Sequence, residues 1–316
     1  MVRMIVVGGE ALIDLVVHAD GRMAAIPGGG PFNTARTIGR LGLRVSFVGG
    51  LSTDRFGQRL VARLGDDGVD ASLAVRTDDP TTLAVAELDS AGVASYRFYL
   101  AGTSADALGP DDLPDLAGSI VTAIHVGTLG LVIEPLADAM EALVAQAADD
   151  AVVMLDPNCR PTATADRDAY LARVDRLLLR SDVVKVSTED LAFLRPDLDP
   201  AAAVERLLDA GPRVVLWTDG GAGARIVTGR GTTMVAAPRV AVVDTVGAGD
   251  AFGGGFLAAW VGSGRGRAEL DGDEALLAAT THAVRVASFT CTRAGAEPPT
   301  TAELAAWHPV AGAVAS

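Results

Sequence analysis

The sequence contains 316 residues, of which 49% are hydrophobic and 21% are charged, and its formal net charge at pH 7 is −14. This composition predicts a folded protein with a large core and excludes intrinsic disorder. The acidic residues are spread along the chain, which disfavours nucleic acid or an anionic membrane as a partner. No apolar run approaches the roughly 18 residues of a membrane span, and the two cysteines are far apart, so we expect a cytoplasmic protein with free thiols.

Short, continuously apolar runs alternate with helical patterns along most of the chain. The predicted strands cover Met4–Val7, Val45–Val48, Ile120–Val126, Val152–Leu155, Val183–Val186 and Val214–Trp217. The predicted helices cover Asn33–Leu43, Arg55–Leu64, Pro135–Ala148, Arg167–Leu179 and Pro200–Leu208. Strands without polar alternation are buried on both faces, which is typical of a mostly parallel sheet covered by helices on each side. The sequence therefore predicts a doubly wound α/β fold in a single domain, residues 1–316.

One region departs from this rhythm. Residues 73–101 alternate apolar and polar side chains, turn at Asp78–Pro80 and again at Ser90–Gly92, and contain no helical pattern. Alternation with a period of two, together with turn residues, predicts antiparallel hairpin strands. With residues 11–27 they are expected to form a small sheet apart from the main one, exposed on one face, which serves as a lid or as a dimer surface.

The segment VGAGD, residues 246–250, follows a predicted strand at Val240–Val243 and begins a helical pattern. The backbone N–H groups of residues 247–249 would converge there and, with the helix dipole, favour a bound anion. A dinucleotide-binding fingerprint would require glycine where Phe252 stands, and a Walker A loop would require a lysine where the chain has none, since its only lysine is Lys185. Both of these common nucleotide loops are therefore excluded.

Asp250 is unexpected at this turn, because a carboxylate repels a bound anion. Two interpretations stay open: Asp250 caps the helix, or it faces a second substrate and takes a proton from a hydroxyl that attacks a bound phosphate. The second interpretation predicts phosphoryl transfer at the start of this helix.

Another glycine-rich turn, GGGPFN at residues 28–33, also precedes a helical pattern. Asn33 either caps that helix or uses its amide to bind the hydroxyls of a polyol, next to the bare glycine backbone. Asp14 lies in the otherwise apolar segment GEALIDLVV, where a carboxylate needs a partner. Carboxylate, amide and exposed backbone together predict a sugar-binding site. A third turn, TDGGAG at residues 218–223, follows a predicted strand at the edge where open parallel sheets bind ligands.

These motifs resemble those of the PfkB, or ribokinase-like, family of carbohydrate kinases. The family's two signatures are similar to PGGGPFNTARTIGRLG and DTVGAGDAFGGGFLAAW, and segments of its fructokinase branch resemble GEALIDL, FYLAGTSAD, DPNCRP, KVSTEDLAFL and CTRAGAEPP. The resemblance covers nearly the whole chain. It implies a ribokinase-like fold and ATP-dependent phosphorylation of a primary hydroxyl of a monosaccharide, with fructose as the expected sugar. It also implies that the small sheet is the lid of the family and the surface of a homodimer.

Carried over residue by residue, the resemblance implies a role for each matching position. Asp250 would be the catalytic base, Gly247, Ala248 and Gly249 the anion hole, and Arg160 a ligand of the phosphates. The sugar would be held by Asp14, Gly29, Gly30, Asn33, Tyr99 and Asp250. ATP would lie against Ser187, Thr218, Gly220, Gly223, Gly247 and Gly249, with Asp190 orienting magnesium-bound water. A potassium ion would be bound by Asp244, Val246, Thr290 and Gly295.

Three departures from the family pattern concern the metal ions and the sugar. Ser187 and Asp190 stand where Asn and Glu are common, Pro299 stands where ribokinases often offer a serine to the cation, and Phe32 replaces a smaller residue. The acceptor stays open, because 2-keto-3-deoxygluconate, ribose or a nucleoside are alternatives to fructose. A non-catalytic sugar or nucleotide sensor is the alternative from another class, although a pure binder has no need of a base beside an anion hole.

Overall fold

A computed structural model describes residues 3–18, 20–88, 94–116 and 120–309. In these ranges the strands are β1 Arg3–Gly8, β2 Leu12–Val17, β3 Met23–Gly28, β4 Val45–Val48, β5 Gly50–Ser52, β6 Val69–Asp70, β7 Val75–Thr77, β8 Leu83–Leu88, β9 Ala94–Tyr99, β10 Ile120–Gly127, β11 Val152–Asp156, β12 Val183–Ser187, β13 Val214–Thr218, β14 Gly223–Thr228 and β15 Gly231–Ala236. The helices are α1 Gly30–Arg40, α2 Arg55–Asp66, α3 Leu136–Ala145, α4 Arg167–Leu178, α5 Thr188–Leu194, α6 Pro200–Asp209, α7 Ala248–Gly262, α8 Asp273–Thr290 and α9 Thr301–Ala306. None of these helices has the length and apolar character needed to cross a membrane.

The main sheet has the strand order β15-β14-β13-β12-β11-β10-β1-β4-β6. Its strands pair in parallel from β13 to β6, and β14 and β15 add an antiparallel edge. Along β11, Val152 and Met154 belong to the core on one face, while Val153 and Leu155 belong to the core on the other. Helices α1, α2, α7 and α8 cover the first face, and α3 to α6 cover the second. The predicted doubly wound α/β fold is confirmed, and burial on both faces explains the unbroken apolar runs.

A second, four-stranded sheet has the order β3-β2-β8-β9. The pairs β2–β3 and β8–β9 are antiparallel, but β2 and β8 pair in parallel. The strand β7, which the alternating pattern assigned to this sheet, instead pairs in parallel with β5. The turn at Asp78–Pro80 therefore joins two sheets and does not close a hairpin, and the turn predicted at Ser90–Gly92 lies outside the described residues. Local alternation predicts a strand, but it carries no information on the direction of a partner 70 residues away.

The strand predicted at Val240–Val243 does not form, and residues 237–247 follow an irregular path. Val242 is 61% exposed, and the N–H group of Val243 donates a hydrogen bond to the carbonyl of Cys291 instead of to a strand. The prediction was wrong because an apolar run was taken to mean burial in the sheet, whereas this segment borders an open cavity.

Candidate active site

The site is centred on the first turn of α7. Gly247 precedes this helix with φ at 72°, and a Cβ at this position would lie only 3.0 Å from the Cα of Ala296, so both the backbone and the space favour glycine. In the described part of the chain, the N–H groups of Gly247 and Gly249 have no acceptor, while that of Ala248 donates to the carbonyl of Thr245 at 3.2 Å. Free N–H groups at the positive end of a 15-residue helix make this turn suitable for an anion.

Asp250, at the third position of α7, does not cap the helix. Its Oδ2 accepts a hydrogen bond from Nδ2 of Asn33 at 3.0 Å, and its Oδ1 accepts a weaker one from Nδ2 of Asn158 at 3.4 Å. The side chain is 8% exposed. Burial raises the pKa of Asp250, although the Asn33 hydrogen bond and the charges of Lys185 and Arg160 lower it. Two amides thus hold a carboxyl group that is more basic than an ordinary aspartate.

Asn33 is likewise not a helix cap. Helix α1 begins at Gly30 with Gly29 as its N-cap, at φ 109°, so Asn33 lies inside the first turn, where its own N–H group bonds to the carbonyl of Gly29 at 2.9 Å. The Oδ1 atom of Asn33 is buried and has no hydrogen-bond partner in the described residues. A buried acceptor beside the Asp250 carboxylate is a place where a hydroxyl group of a ligand can donate.

Glu10 fixes the loop that carries these glycines. Its Oε1 accepts the N–H group of Gly30 at 3.0 Å, and its Oε2 accepts that of Gly130 at 2.8 Å, so one carboxylate ties the start of α1 to the loop that follows β10. Burial raises the pKa of Glu10 to about 8, even though the backbone N–H groups favour the ionised form. Glu10 was not predicted as a site residue, although the isolated position of this carboxylate in an apolar segment was an available signal.

Asp14 lies on β2, close enough to the α7 turn to interact with Asp250 electrostatically. Burial, and next the charge of Asp250, raise the pKa of Asp14 to about 6, while Arg160 lowers it. A side chain at Gly28 would collide with the Asp14 carboxylate, which explains the glycine at that position. Tyr99, in contrast, lies on the edge strand β9, two strands from β2, and is 55% exposed. The structure therefore brings together Asp14, Gly29, Gly30, Asn33 and Asp250, but does not place Tyr99 with them.

A cavity of about 420 Å³ opens on the other side of the α7 turn. Of the residues predicted to contact nucleotide or phosphate, it is lined by Ser187, Thr218, Gly220, Gly223, Ala248 and Gly249. Its opposite wall comes from α8, through Val284, Ala287, Ser288 and Cys291. The contribution of α8 to the cavity was not predicted, because apolar residues at helical spacing are also the pattern of an ordinary core helix.

Arg160 does not point at the α7 turn in this structure. Its Nη1 donates to the carbonyl and to the Oδ1 of Asn158, at 2.9 and 2.8 Å, and to the carbonyl of Cys159 at 3.1 Å. The guanidinium thus holds the amide of Asn158, which in turn contacts Asp250. Asn158 has φ at 38°, in the left-handed region that asparagine tolerates.

Asp156 ends β11, and Lys185 lies in the middle of the neighbouring strand β12, beneath this turn. The Nζ atom lies 3.1 Å from Oδ2 and 3.3 Å from Oδ1 of Asp156. Burial raises the pKa of Asp156 to about 7, although Lys185 lowers it. Neither residue was predicted as part of the site. From the sequence, Lys185 served only to exclude a Walker A loop, and Asp156 was named only as part of the DPNCRP segment.

Asp190 forms a capping box with Ser187 at the start of α5. Its Oδ2 accepts the N–H group of Ser187 at 2.8 Å, and its Oδ1 accepts that of Cys159 at 2.7 Å. The neighbouring Glu189, and not Asp190, lines the cavity. The role of Asp190 towards magnesium-bound water stays a prediction.

Asp244 connects the α7 turn to the loop after α8. Its Oδ1 accepts the N–H group of Val246 at 3.0 Å, and its Oδ2 accepts that of Gly295 at 2.8 Å. The hydroxyl of Thr290 donates within α8, to the carbonyl of Val286 at 2.9 Å. Three of the four residues predicted for a monovalent cation are therefore directly connected. Among the described residues there is no cluster of three His, Cys, Asp or Glu side chains that could hold a metal ion.

This arrangement places the carboxyl group of Asp250 between the polar side chains of Asp14 and Asn33 on one side and, on the other, a cavity that ends at the α7 turn, which is suited to an anion. Such a geometry suits the transfer of a phosphoryl group from a nucleotide to a hydroxyl.

Comparison with known proteins identifies the same chemistry. Residues 2–303 match the model of the pfkB family carbohydrate kinases. A fructokinase of Rhizobium leguminosarum bv. trifolii is 39% identical over 259 residues, which cover 81% of this chain and 79% of that protein. The crystal structure of a fructokinase from Xylella fastidiosa with bound ATP superposes with a TM-score of 0.89 at 29% identity, covering 96% of this chain and 97% of that one. A fructokinase double mutant from Vibrio cholerae, with fructose, ADP and potassium bound, gives a TM-score of 0.83 at 28% identity, covering 96% and 95%.

The fold and the matched family define a sugar kinase, a phosphotransferase with an alcohol group as acceptor. The chain belongs to the PfkB family of carbohydrate kinases, as the resemblance of its two signature motifs predicted.

Proposed function

We propose that this kinase transfers the γ-phosphoryl group of ATP to a primary hydroxyl of fructose, which gives fructose 6-phosphate. The observation that carries the proposal is the position of Asp250: its carboxylate is held by Asn33 on the sugar side, at 3.0 Å, and stands one residue from Gly249, which lines the cavity. The fructokinases among the similar proteins, one with ATP and one with fructose, ADP and potassium bound, support the choice of substrates.

The sugar lies against Asp14, Gly29, Gly30 and Asn33. The carboxylate of Asp14 and the unpaired Oδ1 of Asn33 accept hydrogen bonds from its hydroxyl groups, and the bare backbone at Gly29 allows close approach. By the strand register, Tyr99 shares the face of Ile13 and not that of Asp14, so its contact with the sugar has no support in this structure. We propose that the small sheet acts as a lid that excludes water from the reaction.

Asp250 takes the proton of the primary hydroxyl as the oxygen attacks the γ-phosphorus, and the bond from that phosphorus to the bridging oxygen of ATP breaks. Charge that develops on the transferring group meets the N–H groups of Gly247 and Gly249 and, once its turn hydrogen bond opens, that of Ala248. Ser187, Thr218, Gly220 and Gly223 border the nucleotide. Arg160 turns from Asn158 towards the phosphates.

The site offers oxygen donors for two cations. Mg²⁺ neutralises nucleotide phosphates when bound, and Asp190 fits a water-mediated contact, because each of its oxygens uses only one lone pair on a backbone N–H group. The carboxylate of Asp244, the hydroxyl of Thr290 and the carbonyl oxygens of Val246 and Gly295 are donors of the kind that bind K⁺, and they lie behind the anion-binding turn.

We further propose a cytoplasmic homodimer formed through the small sheet. This sheet carries exposed large apolar side chains on both faces, Met23 and Tyr99 on one and Ile26 and Tyr96 on the other, and a second copy would cover those of one face. Free thiols at Cys159 and Cys291 fit a reducing compartment. Sedimentation velocity that finds only the 32.2 kDa monomer at micromolar concentration would contradict the dimer.

A coupled assay of ADP release tests the proposed function. Fructose, ribose, 2-keto-3-deoxygluconate and a nucleoside are compared as acceptors at saturating ATP, and fructose is expected to give the highest kcat/KM. A higher value for another acceptor would reject fructose and keep the kinase. Tight sugar binding without turnover of any acceptor would favour a sensor instead.

A further inference from the structure

We propose that Lys185, the only lysine in the sequence, is a catalytic residue whose ammonium group contacts the transferring phosphoryl group. The inference rests on the proposed function, because it assumes that the triphosphate of the nucleotide ends at the α7 turn. Lys185 is 3% exposed, yet it is among the residues that line the cavity, together with Asn158, Ala248 and Gly249. Its side chain is therefore buried in the protein but open at its tip to the place where the phosphates would lie.

The position of the ammonium group is defined from two sides. Asp156 on β11 holds it at 3.1 Å, and the start of α7 lies directly above it, since a Cβ at Gly249 would be only 2.9 Å from Nζ. The N–H group of Gly249 has no acceptor among the described residues. The lysine and the free N–H groups thus converge on one small volume.

The hydrogen-bonding capacity of Lys185 exceeds what the protein uses. An ammonium group has three N–H donors, and the carboxylate of Asp156 is its one hydrogen-bonding partner among the described residues. His125, buried below α7, supplies no counter-charge: burial, and next the charge of Lys185, lower the pKa of His125 to about 3, so its imidazole is neutral. Donors therefore remain for oxygen atoms of a ligand.

The charge of Lys185 is secured by its surroundings. Burial lowers the pKa of this amine, but the charges of Asp156, Asp190 and Asp250 outweigh burial and raise the pKa above its ordinary value. Three carboxyl groups thus act on one ammonium group, while the other nearby cation, Arg160, is turned towards its own loop. A triphosphate that enters this negative environment needs a cation at the reacting end, and Lys185 is the one already in place.

The step in which Lys185 acts is the phosphoryl transfer itself. A bond forms between the sugar oxygen and the γ-phosphorus, the bond to the bridging oxygen breaks, the proton of the hydroxyl passes to Asp250, and ADP leaves with the electron pair. The ammonium group donates hydrogen bonds to oxygens of the transferring group from below, while residues 247–249 donate from the start of α7. A contact confined to the phosphoryl group stabilises the transition state and leaves sugar binding unchanged.

A double-mutant cycle separates this role from simple charge balance. Lys185→Met is expected to lower kcat by about 10²–10³-fold while the KM for fructose changes by less than about threefold. The same substitution in an Asp156→Asn background is expected to lower kcat again by a similar factor, and Lys185→Arg is expected to recover part of the loss. If Lys185→Met has no effect once Asp156 is neutral, the lysine only compensates that carboxylate and the proposal is wrong.

The unmodified enzyme provides an independent test, because lysine labelled with ¹³C at Cε reports a single site. The signal of Lys185 is expected to shift when β,γ-methylene-ATP is added, and to stay in place with AMP, which lacks the terminal phosphates. A shift of the Gly247 and Gly249 amide signals without a shift of the lysine signal would overturn the role of Lys185 and keep the proposed function. If neither nucleotide shifts any signal, nucleotide binding fails, and both proposals fail with it.

Discussion

Two groups of buried charges in this protein have opposite balance. At the site, the cations that act on the buried carboxyl groups of Asp14, Asp156 and Asp250 are, among the described residues, Lys185 and Arg160. Behind α1, an arginine network has matched partners: Arg36 Nε lies 2.6 Å from Oδ2 of Asp67, with both side chains 2% exposed, and Arg40 Nη1 lies 2.8 Å from Oδ1 of the same residue. The site is short of positive charge, whereas the network is balanced.

The pKa values follow from this difference. Burial raises the pKa of Glu10 to about 8 and that of Asp156 to about 7. In the network, a hydrogen bond from Arg293 and further ones from Thr300 lower the pKa of Glu303 to about 2. Carboxyl groups that are paired with arginines stabilise the fold. Carboxyl groups with few cations nearby can instead bind a charged substrate or take up a proton. The network also supports the site, since Arg36 Nη1 donates at 2.8 Å to the carbonyl of Ala296, which packs against Gly247.

The largest expected effect on stability comes from breaking the balanced network. Arg36→Met leaves the buried carboxylate of Asp67 with only the partly exposed Arg40 and Arg63, so unfolding free energy is expected to fall by about 3 kcal/mol. The matched control is Arg22→Met, which removes an ion pair to Asp20 whose side chains are 76% and 53% exposed, and no measurable change is expected. Urea denaturation measures both. Equal losses would show that burial of the network has no energetic consequence.

The next prediction concerns the amides that hold Asp250. Asn33→Ala is expected to lower kcat by about 10²-fold, and Asn158→Ala by about tenfold, because the Asn158 contact is longer, 3.4 Å against 3.0 Å. Burial raises the pKa of Asp250 and the Asn33 hydrogen bond lowers it, so its loss raises the pKa further. A base works when deprotonated, so the acid limb of kcat/KM against pH should move to higher pH in Asn33→Ala. An unmoved limb would mean that another group titrates.

A further prediction concerns the dependence of the free energy of unfolding on pH in the free enzyme. The pKa of Glu10 rises on folding from 4.5 to about 8, and that of Asp156 from 3.8 to about 7, so their protonated forms favour the native state. This contribution is fully present below about pH 4 and is lost as the pH rises through 7 to 8, so the unfolding free energy should fall between about pH 5.5 and about pH 8.5. Denaturation series at both pH values measure it. Glu303, whose pKa is lowered to about 2, contributes no change in this window, and constant or rising stability would contradict the account.

Most of the fold could be predicted from the sequence, because strands buried on both faces leave unbroken apolar runs. The strand Val45–Val48 forms at the predicted residues. Irregular backbone escaped prediction: Val240–Val243 has strand composition, but it borders a cavity and bonds to the loop after α8. The parallel pairing of β2 with β8 depends on a crossover through the main domain, which local alternation does not encode.

The candidate site was predictable where a motif contains unusual chemistry. Asp250, in the glycine-rich turn before α7, and Asn33, after a run of glycines, were both predicted as site residues. Each could also have been a helix cap, and their contact with each other, across 217 positions of sequence, favours the site. Lys185 and Glu10 lie in apolar surroundings without a motif, and their function depends on partners that come together only in the fold. The orientation of Arg160 towards Asn158, and not towards the α7 turn, depends on the rotation of its side chain, which a sequence pattern does not encode.

The central claim is that Asp250 is the base of a sugar kinase. Asp250→Asn keeps the shape of the side chain and its place beside Asn33, but cannot take a proton. With fructose and ATP, kcat is expected to fall by about 10³-fold or more while the dissociation constant of fructose changes by less than about threefold. A fall of less than about tenfold in a correctly folded Asp250→Asn enzyme would contradict the account and reduce Asp250 to a structural residue.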